Sequence, residues 1–166
     1  PRSERLQWSD GSVYRSPDGL SKIEVKADLT GSDNNSLVTF RKGNSKSEHN
    51  IFILKRNADL YWAKDSKFAV IVNHPFDGES EIIVVPTIGI FNTNSTRDID
   101  NRLNQKLKKE FVDAENLHIR KFDILEWNGD LLKVNLSGRY ELKYGNGSVA
   151  NFAKKYVVNL DKKTVE

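Results

Sequence analysis

Apolar and polar residues alternate with period two along most of this chain, the pattern of strands with one buried face and one wet face. Ile23, Val25, Ala27 and Leu29 alternate with Glu24, Lys26 and Asp28. Leu37–Phe40 and Ile51–Leu54 follow, each bounded by polar or glycine-containing turns. Phe68–Val72 and Glu81–Val85 are nearly continuous apolar runs, which predicts two strands more fully buried than the rest. Leu117–Trp127 alternates less cleanly but carries Ile119, Phe122, Ile124 and Leu125. Leu131–Leu136, Arg139–Tyr144 and Phe152–Leu160 complete the set.

The connections are short and turn-like. Asn128-Gly129-Asp130 separates two apolar runs, and Asn-Gly is a strong hairpin signal because both residues tolerate positive φ. Tyr144-Gly145-Asn146-Gly147-Ser148 has the composition of a looser hairpin tip. Many strands joined by short turns predict an antiparallel meander rather than a βαβ fold. The expected architecture is mainly β: an open twisted sheet or a stack of two sheets.

One stretch departs from the alternation. Between Asp98 and Ala114, Ile99, Leu103, Leu107 and Phe111 recur every four residues, which predicts one amphipathic helix at about 98–114. Ser95 or Thr96 is the expected N-cap, and Asp98 and Asp100 place negative charge at the positive helix end. Arg102, Lys106 and Lys109 form a basic stripe on the other face. Such a stripe is either a plain solvated face or a grip for an acidic partner.

Length and composition narrow the classes. With 166 residues, 37% hydrophobic and 30% charged, the chain fits a single globular domain spanning 1–166. No apolar run approaches the roughly 20 residues of a membrane-spanning helix. The net charge of +3 is spread over Arg41-Lys42, Lys106–Lys109, Arg120-Lys121, Lys154-Lys155 and Lys162-Lys163. Nucleic-acid binders concentrate such charge on one face, so no nucleic-acid partner is expected. There is no cysteine, which removes disulfides, thiol chemistry and cysteine-ligated zinc. The chain begins at Pro1 and contains no methionine, as expected where an export signal has been removed or the start trimmed. Asn34, Asn94, Asn135 and Asn146 each open an N-x-S/T triplet, a number this Asn- and Ser-rich composition produces by chance.

Catalytic motifs are missing from the sequence. There is no G-x-S-x-G elbow, no phosphate-binding G-x-x-x-x-G-K-[ST], and no G-x-G-x-x-G. The histidines, His49, His74 and His118, are far apart, and no H-E-x-x-H pairs two of them. The segment from Asn73 to Glu81 holds the one suggestive constellation. Asp77, Glu79 and Glu81 alternate, so they can share one side of a strand and bind calcium through oxygen, with His74 beside them. They lack EF-hand spacing, and the expected reading is a hairpin tip with solvated charges. No metal and no cofactor is expected.

Trp62-Ala63-Lys64-Asp65-Ser66-Lys67-Phe68-Ala69-Val70 resembles the Trp-Ser-Pro-Asp-Gly-Lys-apolar signature of Tol-type β-propeller repeats. Trp127-Asn128-Gly129-Asp130-Leu131-Leu132-Lys133-Val134 is similar to a shortened version, and Ser16-Pro17-Asp18-Gly19, with Trp8 upstream, supplies the turn near the start. Tyr156–Thr164 resembles the strand and turn that finish such a blade. The indole is a packing device and the Asp a turn device, so Trp62 and Trp127 are expected to be buried. Propellers have about 4–8 blades, and this chain has room for about three, so the resemblance implies an open, incomplete version. It also implies an extracytoplasmic bacterial protein, periplasmic or secreted, that binds other proteins.

The function expected from these readings is a non-enzymatic domain that binds another protein, in one concrete form an inhibitor or immunity protein against a toxin. Its candidate contact residues are Arg102, Lys106, Lys109, His74, Asp77 and Glu79. Two other classes stand beside it. One is a cell-wall-directed hydrolase built on Asp77, Glu79, Glu81 and a histidine. The other is a structural subunit that completes a sheet with neighbouring copies.

Overall fold

The computed structural model describes residues 1–7, 11–27 and 35–166; Trp8, Asp28, Leu29 and Asn34 lie outside the described residues. Among the described residues, twelve strands and one α-helix follow in chain order: β1 (Glu4–Leu6), β2 (Ser12–Arg15), β3 (Ser21–Ala27), β4 (Ser36–Lys42), β5 (His49–Leu54), β6 (Asn57–Trp62), β7 (Phe68–His74), β8 (Glu81–Pro86), α1 (Asp98–Glu110), β9 (Ala114–Asn128), β10 (Leu131–Leu142), β11 (Val149–Asn159) and β12 (Thr164–Val165). They form three four-stranded antiparallel sheets, ordered β2-β3-β4-β5, β1-β6-β7-β8 and β12-β11-β10-β9. The fold is mainly β, antiparallel and open, with one helix, as the alternation predicts. Among the described residues the sheets number three, where one or two were expected.

Strand periodicity explains how the sheets stack. On β7 and β8, Ala69, Ile71, Ile83 and Val85 enter one core with β3, β4 and β5. Their neighbours Val70, Val72, Ile82 and Val84 enter a second core with α1 and the β9–β11 sheet. Because successive side chains point to opposite faces, a strand buried on both sides must be apolar throughout. That is why β7 and β8 read as continuous runs, and why their sheet is the middle layer.

The helix closes the edge of that layer. Ile99, Leu103 and Leu107 are buried against the second core, as their spacing predicts. The edge strand β8 would otherwise leave backbone groups unpaired. Asp100 reaches across instead, and its Oδ1 accepts the Ile82 N–H at 2.9 Å. The helix is shorter than the 98–114 expected: Phe111 still donates its N–H to Leu107 O, then ψ turns to 62° and Ala114 opens β9. Ser95 and Thr96 are not its N-cap. They sit in a 3-10 turn, Asn94–Arg97, and Arg97 precedes α1 with no side-chain cap.

Three irregularities shape the pairing of β9 with β10, one of them between Arg139 and Glu141, and two single-residue bulges matter for the faces of β9. Gly138 pairs with Ile119 and Ser137 with Lys121, leaving Arg120 as the extra residue; Val134 pairs with Ile124 and Lys133 with Glu126, leaving Leu125 extra. Each bulge resets which face the following residues occupy. Ile119 and Phe122 therefore both point inward although they are three apart. The same resetting turns Trp127 toward the core.

Candidate binding cleft

Two hairpin turns in different sheets are built alike. Between β2 and β3, Ser16 N–H donates to Ser21 O and Gly19 N–H to Ser16 O, while Asp18 Oδ1 accepts the Leu20 N–H at 3.0 Å. Between β6 and β7, Ala63 N–H donates to Phe68 O and Ser66 N–H to Ala63 O, while Asp65 Oδ1 accepts the Lys67 N–H at 3.0 Å. The left-handed position is Gly19 in the first turn (φ 73°) and Ser66 in the second (φ 62°). The hydrogen bond that Ser16 donates to Asp18 is the first reason the Asp18 carboxyl titrates below its ordinary value. Ser66 is further fixed from its carbonyl side, where Thr87 Oγ1 donates to Ser66 O at 2.6 Å.

The third turn joins β9 to β10. Asn128 pairs with Leu131, so Gly129 and Asp130 are the two turn residues, and Gly129 alone has positive φ, 57°. Glycine at the first central position is the type II′ arrangement rather than the type I′ that Asn-Gly suggested.

A cleft of about 620 Å³ lies between the second and third of these turns. Trp62, Ala63, Leu125 and Trp127 form its apolar lining, and Arg2, Lys64, Asp65, Glu126 and Asn128 its polar one. The tryptophans do pack, Trp62 against one core and Trp127 against the other, but both are only partly buried. The expectation of two buried indoles is therefore corrected. Trp127 Nε1–H donates to Gly129 O at 2.9 Å, and Trp62 Nε1 is buried with no partner. With both N–H groups withdrawn, the indoles offer the cleft carbon surface. Leu125 is 47% exposed, held there by its bulge.

The carboxylates of the cleft are committed to structure. Asp65 caps its own turn, and Glu126 Oε2 lies 2.6 Å from Lys133 Nζ. The volume suits a ligand of several heavy groups, and the lining combines apolar anchors with a few polar groups, as binding sites do.

The contact residues chosen from sequence lie elsewhere. Arg102 and Lys109 are exposed and Lys106 partly buried on α1, and none has an ion-pair partner among the described residues. His74 ends β7, at the other end of that strand from the tryptophan turn. Its Nδ1 lies 2.8 Å from Ser80 Oγ and its Nε2 3.4 Å from Asp59 Oδ2. This Asp-His-Ser chain is not arranged as a nucleophile. The one proton of the buried Ser80 hydroxyl goes to Arg120 O at 2.8 Å, so His74 Nδ1 is the donor to Ser80. With Ser80 N–H on Ile119 O, the group ties the middle sheet to β9.

The three alternating carboxylates do not converge. Asp77 pairs with Arg56 at 2.5 Å, Glu79 lies 3.5 Å from His118 and Glu81 pairs with Arg97 at 2.6 Å, three different partners on three segments. Among the described residues no group of three or more His, Asp or Glu side chains is placed to hold a metal ion. No helix of the described residues is long and apolar enough to cross a membrane.

Sequence reasoning placed both tryptophans but missed Leu125 and the opening between the turns. The uneven alternation of β9 was the available signal, since it marks the bulge that exposes Leu125. No family model, no curated protein and no solved structure matches this chain.

Proposed function

We propose that this chain is a non-enzymatic, extracytoplasmic domain that binds another protein through the tryptophan cleft. The observation that carries the reading is the set Trp62, Leu125 and Trp127 around one opening, with both indole N–H groups withdrawn. Large apolar side chains left open to water in a group mark interaction sites. These are held by hydrogen-bonded turns, so little ordering is lost when a partner arrives. The extracytoplasmic placement rests on the resemblance of the Trp62 and Trp127 segments to Tol-type repeats. Neutralisation of a bacterial toxin is one concrete form of the role. A hydrolytic role draws less support, because Ser80, Asp65 and Glu126 are each engaged in holding the structure.

The test is co-purification from the native cell with tagged wild type and with Leu125→Asp. A partner retained by the wild type and lost by the variant supports the proposal. A partner retained equally by both shows that the cleft is not the contact.

A further inference from the structure

An edge strand presents unpaired N–H and C=O groups, which a fold normally covers, shortens or interrupts. Most edges here are treated in that way. Asp100 of α1 accepts the Ile82 N–H of β8, and Thr93 Oγ1 donates to Asn50 O of β5. Ser80 donates to Ile119 O and Arg120 O of the bulged β9, while β1 and β2 are only three and four residues long.

β11 is the exception, because β12 shields only one end of it. β12 pairs with Val158 and Asn159, and Glu166 exchanges both backbone bonds with Val157. Val157 thus points its N–H and C=O outward, and in an antiparallel ladder every second residue does the same. The register of β11 with β10 is unbroken from Val149 to Asn159. Val149, Asn151, Ala153 and Lys155 therefore hold out donors and acceptors along about 20 Å of edge. All are exposed, and among the described residues no backbone group pairs with them on that side.

This open run is symmetric about Phe152. Laid antiparallel on a second copy with Phe152 opposite Phe152, Asn151 exchanges bonds with Ala153 and Val149 with Lys155, so no outward group is left over. A slide of two residues fails in either direction. It brings Val149 against Val157, whose bonds Glu166 already holds, or Lys155 against Gly147 in the hairpin turn. The charges agree with the same register. Lys155 meets Val149 and Lys154 meets Ala150, so no like charges stand opposite each other. Lys154 is also drawn aside, 3.3 Å from Glu110 and over the Phe111 ring. Val149, 55% exposed, gains cover from the methylene stem of Lys155 of the second copy. Any strand could bond the backbone groups, but this agreement of length, register and charge belongs to the chain itself.

We infer that β11 pairs antiparallel with β11 of a second copy, centred on Phe152, joining two β9–β12 sheets into one. The contact lies at the Glu141–Val149 end of the sheet, whereas the tryptophan cleft lies near the Leu131–Asn159 end. Dimerisation therefore does not depend on the cleft, and it leaves both clefts open to a partner with two sites.

Sedimentation velocity of the full chain from micromolar to millimolar concentration tests this. The expected result is a monomer–dimer equilibrium that Val149→Lys weakens about tenfold or more, by setting a lysine opposite Lys155 at both ends of the contact. Adding Lys155→Glu to Val149→Lys should restore the dimer. Ala153→Pro removes an outward N–H that has no bond within the chain, so it should keep the melting temperature and abolish the dimer. Wild type that stays monomeric at millimolar concentration overturns the inference. A dimer that survives Ala153→Pro, or that Val149→Lys leaves unchanged, places the contact elsewhere. A dimer that the double variant does not restore rejects the register centred on Phe152.

Discussion

The backbone N–H of Asp18 donates to Ser66 Oγ at 3.0 Å, joining the first hairpin turn to the second across two sheets. The turn that receives the bond forms one wall of the tryptophan cleft, so this tie holds the wall in place. Ser66 does this from a left-handed backbone, φ 62°, that L side chains adopt at a cost of about 1 kcal/mol. Ser66→Ala keeps that cost and loses the bond, and should lower unfolding free energy by about 1 kcal/mol. Ser66→Gly loses the same bond but relieves the backbone, and should be the more stable variant by about 1 kcal/mol. Urea unfolding of the two variants decides; an alanine variant as stable as wild type would show that the tie contributes nothing.

Asp100 sets a pH dependence. Burial raises its carboxyl to about 6, with nearby Glu81 adding to the shift and the Ile82 N–H and Arg97 opposing it. A carboxyl with a folded pKa above its unfolded value binds more protons in the native state between the two. Stability from this group therefore falls as pH rises from about 4 to about 6, and stays low above. Asp18 and Glu48 are shifted downward, so their contribution is lost mainly at still lower pH. The protein should gain about 2 kcal/mol on going from pH 7 to pH 4.5. Asp100→Asn keeps an acceptor for Ile82 and should flatten that slope. Equal slopes for both proteins in chemical denaturation would assign the dependence elsewhere.

How deeply each strand is buried was legible because burial is written in period, whereas the third sheet was not. Ile23 and Val25 alternate with charged neighbours and lie on a half-wet sheet, while Phe68–Val72 is apolar at every step and lies in the middle layer. The helix was legible from Ile99, Leu103 and Leu107, but its end was not. Phe111 continues the spacing yet serves the aromatic group with Tyr140 and Phe152 from outside the helix. β1, β2 and β6 were missed, being short or mixed in polarity, and their pairing with longer strands supplies what local sequence lacks. The cleft was half legible. Tryptophan next to a turn marks both walls, but how far each indole is covered depends on the distance between two sheets, which no local pattern encodes.

Gly138 is required by close approach. A Cβ there would stand 1.9 Å from His118 O and 3.0 Å from Phe152 Cε1, where the bulge at Arg120 brings β9 over β10. Gly138→Ala should cost about 3 kcal/mol, since backbone rather than a side-chain tip must move. Ser137→Ala, on the open face, should stay within about 0.5 kcal/mol. Similar melting temperatures for both variants would mean that β9 shifts freely.

Calcium should leave the melting curve unchanged. Asp77, Glu79 and Glu81 turn to Arg56, His118 and Arg97, so an ion would have to break three pairs to collect three ligands. An ion bound only by the native state at a hundredfold excess over Kd would add about 2.7 kcal/mol. Melting with millimolar calcium and with chelator should coincide. A rise abolished by Asp77→Asn would make the loop a calcium site.

The tryptophans should divide their energy between fold and ligand. A fully buried aromatic replaced by Ala costs about 3–5 kcal/mol; Trp127 and Trp62 are partly buried and should cost about 2 kcal/mol each. Trp127→Phe keeps much of the packing and the flat surface but loses the bond to Gly129 O, so about 1 kcal/mol is expected. In a Trp8→Phe background, where emission comes from Trp62 and Trp127 alone, acrylamide should quench through the open faces. A protein partner seated on the indoles should protect this emission from acrylamide. If the emission remains equally quenched with the partner bound, the partner does not lie on these rings, and the tryptophans serve packing alone.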